Sequence, residues 1–342
     1  MSSPVPTRPG FILDEQAFRA KLAYPLLNTN LQGAFASPAP PDTFDPNTAS
    51  AAELVKQGLL WRRPTATDAP ALQNAWKRVF SRKWLAKDRI VPQLETQTGR
   101  THNLREPLTQ VKDQNFINGA WAGAGTRGGG TWTGIIGYWI IPTVSKPSEP
   151  QGLEGGWNSS SWLGIDGFDI GIVSNDVLQA GIEQKVSASG QASYVAWFEW
   201  FAPQQAGSPG YIFQTNINNF PVSPGQQVYC SVQYVNSNTA GSIYFANEAT
   251  GQHFSITLAP PPGATFKGNS IEWIMEAPDG GEPESSLPKF TPVTFTSAIG
   301  CNASGGTGNP QTGDTANVEN SSGKVLTSVT TGSDTVTINF IG

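Results

Sequence analysis

From about residue 115 onward the chain is a succession of short runs in which apolar and polar side chains alternate, each closed by a turn rich in glycine or proline. Such turns include Gly128-Gly129-Gly130, Gly207-Ser208-Pro209-Gly210, Ser223-Pro224-Gly225 and Pro260-Pro261-Pro262-Gly263. A period of two sends successive side chains to opposite faces, the signature of a half-buried strand. It predicts strands near 119–124, 131–141, 160–166, 177–185, 192–201, 211–217, 227–236, 242–247, 253–258, 270–276, 292–297 and 325–341. No helical pattern separates them, so the expected fold is all-β, an antiparallel two-sheet sandwich. The 37 Gly, 27 Pro, 11 Trp and 17 Phe fit short strands and tight turns, and the 14% of charged residues leaves little for exposed helix. Residues 302–323, rich in Gly, Ser, Asn and Thr, are expected to form a loop or edge.

Residues 1–113 have a different texture and are expected to form a separate, partly helical segment ahead of a sandwich domain at 114–342. Asp14-Glu15 predicts the start of a short helix through Phe18 and Leu22, and 34–49 reads as a linker. A second helix is expected from Asp68-Ala69-Pro70, with Leu72, Trp76, Val79, Phe80 and Trp84 on one stripe and Lys77, Arg78, Arg82 and Lys83 opposite. An apolar stripe on so small a segment needs a surface elsewhere. The signs of charge suggest which one: residues 1–113 carry 15 Lys/Arg against 10 Asp/Glu, whereas 114–342 carry 6 against 16. An acidic body disfavours nucleic acid as a partner and favours docking of the basic segment. No stretch approaches membrane-spanning length, and Met1-Ser2-Ser3-Pro4-Val5-Pro6 lacks the pattern of a signal peptide. The compartment stays open. Asn158, Asn302 and Asn320 each begin a glycosylation triplet, a pattern common by chance.

Chemistry is narrowed by elimination. Only His102 and His253 could serve a histidine-based triad or a zinc site; neither has partners in sequence, and both are expected to be structural. Cys230 shares a strand face with Val228 and Val232, so a buried thiol is expected, with a bridge to Cys301 as the alternative. No cofactor or metal motif is present, which leaves carboxylates, amides and water. Polar groups stand out on apolar backgrounds in four strands. Asp166 follows Trp162 and Gly164 on one face, Gln179 lies between Val177 and Gly181, and Glu199 shares a face with Trp197 and Val195. In Ser270-Ile271-Glu272-Trp273-Ile274-Met275-Glu276, the residues Ile271, Trp273 and Met275 belong in a core, so Glu272 and Glu276 sit together on the other face. Like charges sharing a sheet face do not stabilise it, so either water covers that face or the pair does chemistry.

These motifs in this order resemble the glutamic peptidases, or eqolisins. The resemblance rests on Ser161-Trp162-Leu163-Gly164-Ile165-Asp166-Gly167, Leu178-Gln179-Ala180-Gly181, Tyr194-Val195-Ala196-Trp197-Phe198-Glu199-Trp200, Val222-Ser223-Pro224-Gly225 and Ile271-Glu272-Trp273-Ile274-Met275-Glu276. Trp121-Ala122-Gly123-Ala124 is similar to the opening motif of that family. The resemblance covers roughly 115–300. It implies a lectin-like (concanavalin A-like jelly-roll) sandwich with a concave cleft, and a catalytic pair at Gln179 and Glu276. It also implies supporting or substrate-lining positions at Trp121, Asp166, Trp197, Glu199 and Glu272. Val195 departs from the acidic residue of fungal members, which removes one hydrogen-bonding group from the supporting network.

The expected function is acid endopeptidase acting on polypeptides, with residues 1–113 as an intramolecular inhibitor that is removed by self-processing near 105–118. Two other functions use the same features. A glycoside hydrolase would pair carboxylates such as Glu199 and Glu276, and a non-catalytic lectin-like module would need neither Gln179 nor Glu276.

Overall fold

The computed structural model describes residues 13–22, 24–61, 63–81, 85–97, 102, 108–128, 130–148, 156–168, 176–202, 212–235, 239–278 and 287–342. Two large sheets, each of ten strands, lie face to face, with a small two-stranded sheet of Val144–Ser145 and Lys289–Phe290 beside them. Among the described residues every strand pairing is antiparallel except that of Asp314–Val318 with Asn115–Asn118, and an isolated bridge between Arg89 and His253 is also parallel. This is the expected sandwich.

One sheet, called here the cleft sheet, runs in the order 94–96, 212–217, 192–201, 177–186, 157–165, 270–276, 121–127, 314–318, 115–118, 109–112. The back sheet runs 27–28, 34–36, 253–258, 240–247, 227–235, 132–140, 293–302, 335–340, 327–331, and its tenth strand, Thr307–Gly308, pairs with 293–302 off this path. Between them lies the main core, where Ile271, Trp273 and Met275 meet Trp139, Val228, Val232, Phe245 and Phe295. Two indoles bind the layers by more than contact. Trp139 Nε1 of the back sheet donates to Ser161 Oγ at 3.0 Å, and Trp273 Nε1 of the cleft sheet donates to the Ile136 carbonyl at 2.9 Å. Each satisfies a buried N–H that would otherwise cost about 1–3 kcal/mol. Cys230 and Cys301 remain thiols, the first fully buried in this core; burial pushes the Cys230 thiol well above its ordinary value.

The N-terminal segment is woven into the sandwich. Asp14 caps the helix Glu15–Ala20 as expected, its side chain accepting from Ala17 N. The supposed linker 34–49 instead begins with the strand Ala34–Ala36, which pairs with Leu27–Asn28 on one side and with His253–Leu258 on the other. The helix Ala51–Lys56, which apolar periodicity did not reveal, follows a capping box in which Ser50 and Glu53 satisfy each other's backbone N–H groups. The helix Pro70–Val79 lays Ala75 and Trp76 on Ile136, Tyr138, Tyr229, Tyr244 and Ile299, the outer face of the back sheet. Its basic side contributes Arg78, which sits 3.7 Å over the Tyr138 ring and donates to Thr296 Oγ1 at 2.9 Å. Arg82, Lys83 and Trp84 lie outside the described residues.

The stretch 302–323 also departs from expectation. It contains the strand Asp314–Val318, which joins the cleft sheet beside Trp121–Arg127. Polar and small side chains hid it, because half of this strand faces the partly exposed edge.

Candidate active site

The register of the cleft sheet aligns its outer-face residues in three adjacent rows. The first is Trp121, Glu276, Ser160, Glu183 and Val195. The second is Gly123, Ile274, Trp162, Gly181, Trp197 and Asn216, and the third is Gly125, Glu272, Gly164, Gln179 and Glu199. Alternation therefore puts both Glu272 and Glu276 on the face away from the core, as expected. Rows differ by two residues along each strand, so all three share one face.

Small residues make this crowding workable. A β-carbon on Gly181 would fall 2.4 Å from the Ser161 carbonyl oxygen and from Trp162 Cβ. One on Gly164 would stand 3.1 Å from each of Gln179 Cβ, Glu272 Oε1 and Trp162. Glycine at these places lets Trp162 lie flat between strands and lets Gln179 and Glu272 approach across the gap.

Each polar group then has defined partners. Glu276 Oε2 accepts from Trp162 Nε1 at 2.7 Å, and Trp162 makes an edge-on contact with Trp121 at 4.8 Å between ring centres. Trp121 is held by Asn118, whose Oδ1 accepts from the Trp121 N–H at 2.5 Å and whose Nδ2 donates to the Trp121 carbonyl at 2.8 Å. Trp197 Nε1 donates to Ser160 Oγ at 2.8 Å. Ser270 Oγ donates to Glu272 Oε2 at 3.0 Å. Glu183 Oε2 accepts from Gln214 Nε2 at 3.0 Å and lies 3.4 Å from Lys185 Nζ. Gln179, Glu183, Glu199, Glu272 and Glu276 are all fully buried.

Asp166 is not brought to this group. The cleft strand ends at Ile165, and a φ of +68° turns Asp166 out of it. Its carboxylate accepts from Gly268 N at 2.9 Å, Asn269 N at 2.6 Å and the Tyr234 hydroxyl at 2.8 Å, which anchors the loop before Ser270–Glu276. Burial and the adjacent Asp166 hold the Tyr234 phenol well above its ordinary value, so it stays a donor. Asp176 takes part in the same anchor. It accepts from Thr265 N and Phe266 N, and burial pushes it up to about 6. Of the residues singled out from sequence, then, Gln179, Glu276, Trp121, Trp197, Glu199 and Glu272 converge, and Asp166 serves the loop.

His102, expected to be structural, lies among polar partners in the cleft. It is fully buried in the cleft. Its ring stacks on Trp197, 3.8 Å between centres and 7° between planes. Nδ1 lies 2.8 Å from Glu276 Oε2, and Nε2 lies 2.8 Å from Gln214 Oε1. Its backbone N–H donates to Glu199 Oε2 at 2.7 Å, and its carbonyl accepts from Gln179 Nε2. The partners come from four strands of the sheet, so nothing near His102 in sequence could have announced them. His253 does remain structural, with Nδ1 3.3 Å from Arg89 Nη1. Gln214 and Glu183 were also missed, although strand alternation alone puts Glu183 on the face of Gln179.

The cleft fold is shared with solved peptidases. Scytalido-glutamic peptidase, crystallised with a peptide-based transition state analog, matches 65% of this chain and 98% of its own, with 21% identity and a TM-score of 0.51. SCP-B, an eqolisin in complex with the tripeptide Ala-Ile-His, matches the same shares with 19% identity and a TM-score of 0.50. Aspergillopepsin-2 of Aspergillus niger is 29% identical over 234 residues, covering 65% of this chain and 77% of that protein. The model of the Peptidase A4 family matches residues 119–340. The chain belongs to the Peptidase A4 family. It is accordingly a glutamic peptidase of the eqolisin type, a hydrolase of peptide bonds, and the carbohydrate-active and lectin-like alternatives are set aside. The match includes all the strands that carry the three rows and leaves the whole N-terminal segment, His102 among it, outside.

Proposed function

We propose that this peptidase works through Gln179 and Glu276 as an acid endopeptidase, made with its N-terminal segment as an intramolecular inhibitor. The observation that carries this reading is that one main-chain residue engages both members: the His102 carbonyl takes the Gln179 amide while its side chain meets Glu276. A peptide carbonyl on Gln179 is the ground state of the contact that strengthens as negative charge develops on that oxygen. One such donor is worth on the order of 10²–10³ in rate. An amide cannot titrate, so Gln179 keeps this role at any pH.

Glu276 supplies the proton traffic. As a carboxylate it takes a proton from a water attacking the carbonyl carbon and then passes it to the leaving amine, help worth roughly 10²–10⁴. Its Oε1 and the Gln179 Oε1 are buried and have no hydrogen-bond partner among the described residues, so each can accept from such a water. Trp162, donating to Oε2, fixes the carboxylate without using Oε1. Trp121 and Trp197 supply apolar walls for substrate side chains.

Digestion of a denatured protein at pH 3–5 tests the dyad. The processed enzyme should cleave, whereas Gln179→Ala and Glu276→Gln should each lose at least about 10²-fold in kcat. Activity retained in both variants ends this assignment. Incubation near pH 4 with mass analysis tests the segment: a chain that stays intact while fully active would dismiss the inhibitor.

A further inference from the structure

The contacts of His102 go further than blockage by bulk. We propose that the cleft contains a subsite built for an imidazole, formed by the Trp197 face, Glu276 Oε2 and Gln214 Oε1, and that His102 holds the dyad shut by filling it. This deepens the dyad reading above and rests on it.

The geometry selects the ring. Gln214 is oriented from behind: its Nε2 donates to Glu183 Oε2 at 3.0 Å and to Asn216 Oδ1 at 2.9 Å. Its Oε1 is therefore the atom left to face the cleft, and it can only accept. The ring nitrogen 2.8 Å away must carry a hydrogen. On the other side Glu276 Oε2 lies 2.8 Å from Nδ1, so one more proton bridges that pair, whichever atom holds it. Trp197 lies parallel at 3.8 Å and admits a flat ring. An aliphatic side chain would leave both oxygens facing an apolar group. A lysine would offer no plane to stack.

The same contacts explain how a residue whose carbonyl is held as a substrate's would be can still inhibit. The imidazole of His102 shares a proton with Glu276 Oε2, which draws charge from the carboxylate and weakens its Oε1 as a base, and it does so from the very residue whose carbonyl Gln179 holds. The segment approaches the dyad like a substrate and disarms it.

The test uses the full chain with His102→Ala and imidazole itself as the probe. On a short peptide substrate, the intact His102→Ala chain should be at least tenfold more active than the intact wild type, with gel analysis confirming that neither has been cut. Millimolar imidazole should restore inhibition in His102→Ala and raise its melting temperature. Both effects should vanish in His102→Ala/Gln214→Leu. An imidazole effect that survives Gln214→Leu, or is absent from His102→Ala, overturns the subsite. An intact His102→Ala chain no more active than wild type, while the processed enzyme is active, overturns the lock. The melting-temperature arm needs no catalysis, so the subsite is judged even where Glu276 proves not to be the base. Activity surviving in His102→Ala/Glu276→Gln would show that failure.

Discussion

Two of the places where the N-terminal segment meets the sandwich hold it by opposite means. On the back sheet the helix Pro70–Val79 presses Ala75 and Trp76 onto tyrosines and isoleucines, a contact that is mostly apolar. In the cleft, His102 makes four polar contacts and one ring stack, to Glu199, Glu276, Gln214, Gln179 and Trp197. Burial of apolar surface does not depend on pH or on a matching partner, whereas each cleft contact needs a matching donor or acceptor. The first attachment is a clamp, and the second is a set of matched polar contacts.

Substitutions should separate the two. The largest stability effect is expected at the clamp: Trp76→Ala should cost about 3–5 kcal/mol in urea unfolding, equally at pH 4 and pH 7, without raising the activity of the intact chain. A loss that changes strongly with pH would break the distinction. Next comes Asp176, held at about 6 against an ordinary 3.8. The folded state binds this proton more tightly than the unfolded one, so the group favours folding below about pH 4 and that advantage is lost as pH rises through about 6. Asp176→Asn should therefore gain up to about 3 kcal/mol over wild type at pH 7 and nothing near pH 3.5. Equal stabilities at both pH values would remove Asp176 from the account.

Two smaller effects sharpen the contrast. Gly164→Ala should cost about 1–3 kcal/mol by overpacking, and the shift it imposes on Gln179 should lower kcat of the processed enzyme by more than the lost stability explains. Comparing kcat with the melting temperature decides this, and unchanged kcat would show that Gln179 has slack. Arg78→Ala, which removes the cation over Tyr138, should cost only about 1 kcal/mol and leave the pH profile of processing unchanged. A shifted profile would mean that the clamp also senses pH.

Legibility of this molecule in its sequence follows the range of the interactions. Alternation is local, so the residue pattern of Ser270–Glu276 is enough to assign its two faces, with Trp273 inward and Glu276 outward. The motif order is sufficient to assemble Gln179, Glu199, Glu272 and Glu276. Asp166 escapes the pattern because alternation, carried one residue too far, runs past the point where a left-handed φ ends the strand. His102 is illegible for a different reason. Every one of its partners is at least 77 residues away, and a histidine takes its role from partners rather than neighbours. The strand Asp314–Val318 hides because it lacks the large apolar side chains by which strands are recognised.

The strands Leu94–Thr96 and Thr109–Lys112 are the two outermost members of the cleft sheet, and His102 stands between them in the chain. Cutting the backbone between Gln97 and Leu108 would break neither pairing, because Leu94–Thr96 would stay bound to Ile212–Ile217 and Thr109–Lys112 to Asn115–Asn118. On the proposal that the segment is removed by a cut here, cleavage and departure would be separable events. A nicked molecule would stay associated, with two polypeptides seen only after denaturation. Ile212–Ile217 and Asn115–Asn118 would keep their outer partners through the cut, so no new edge that invites aggregation would be bared.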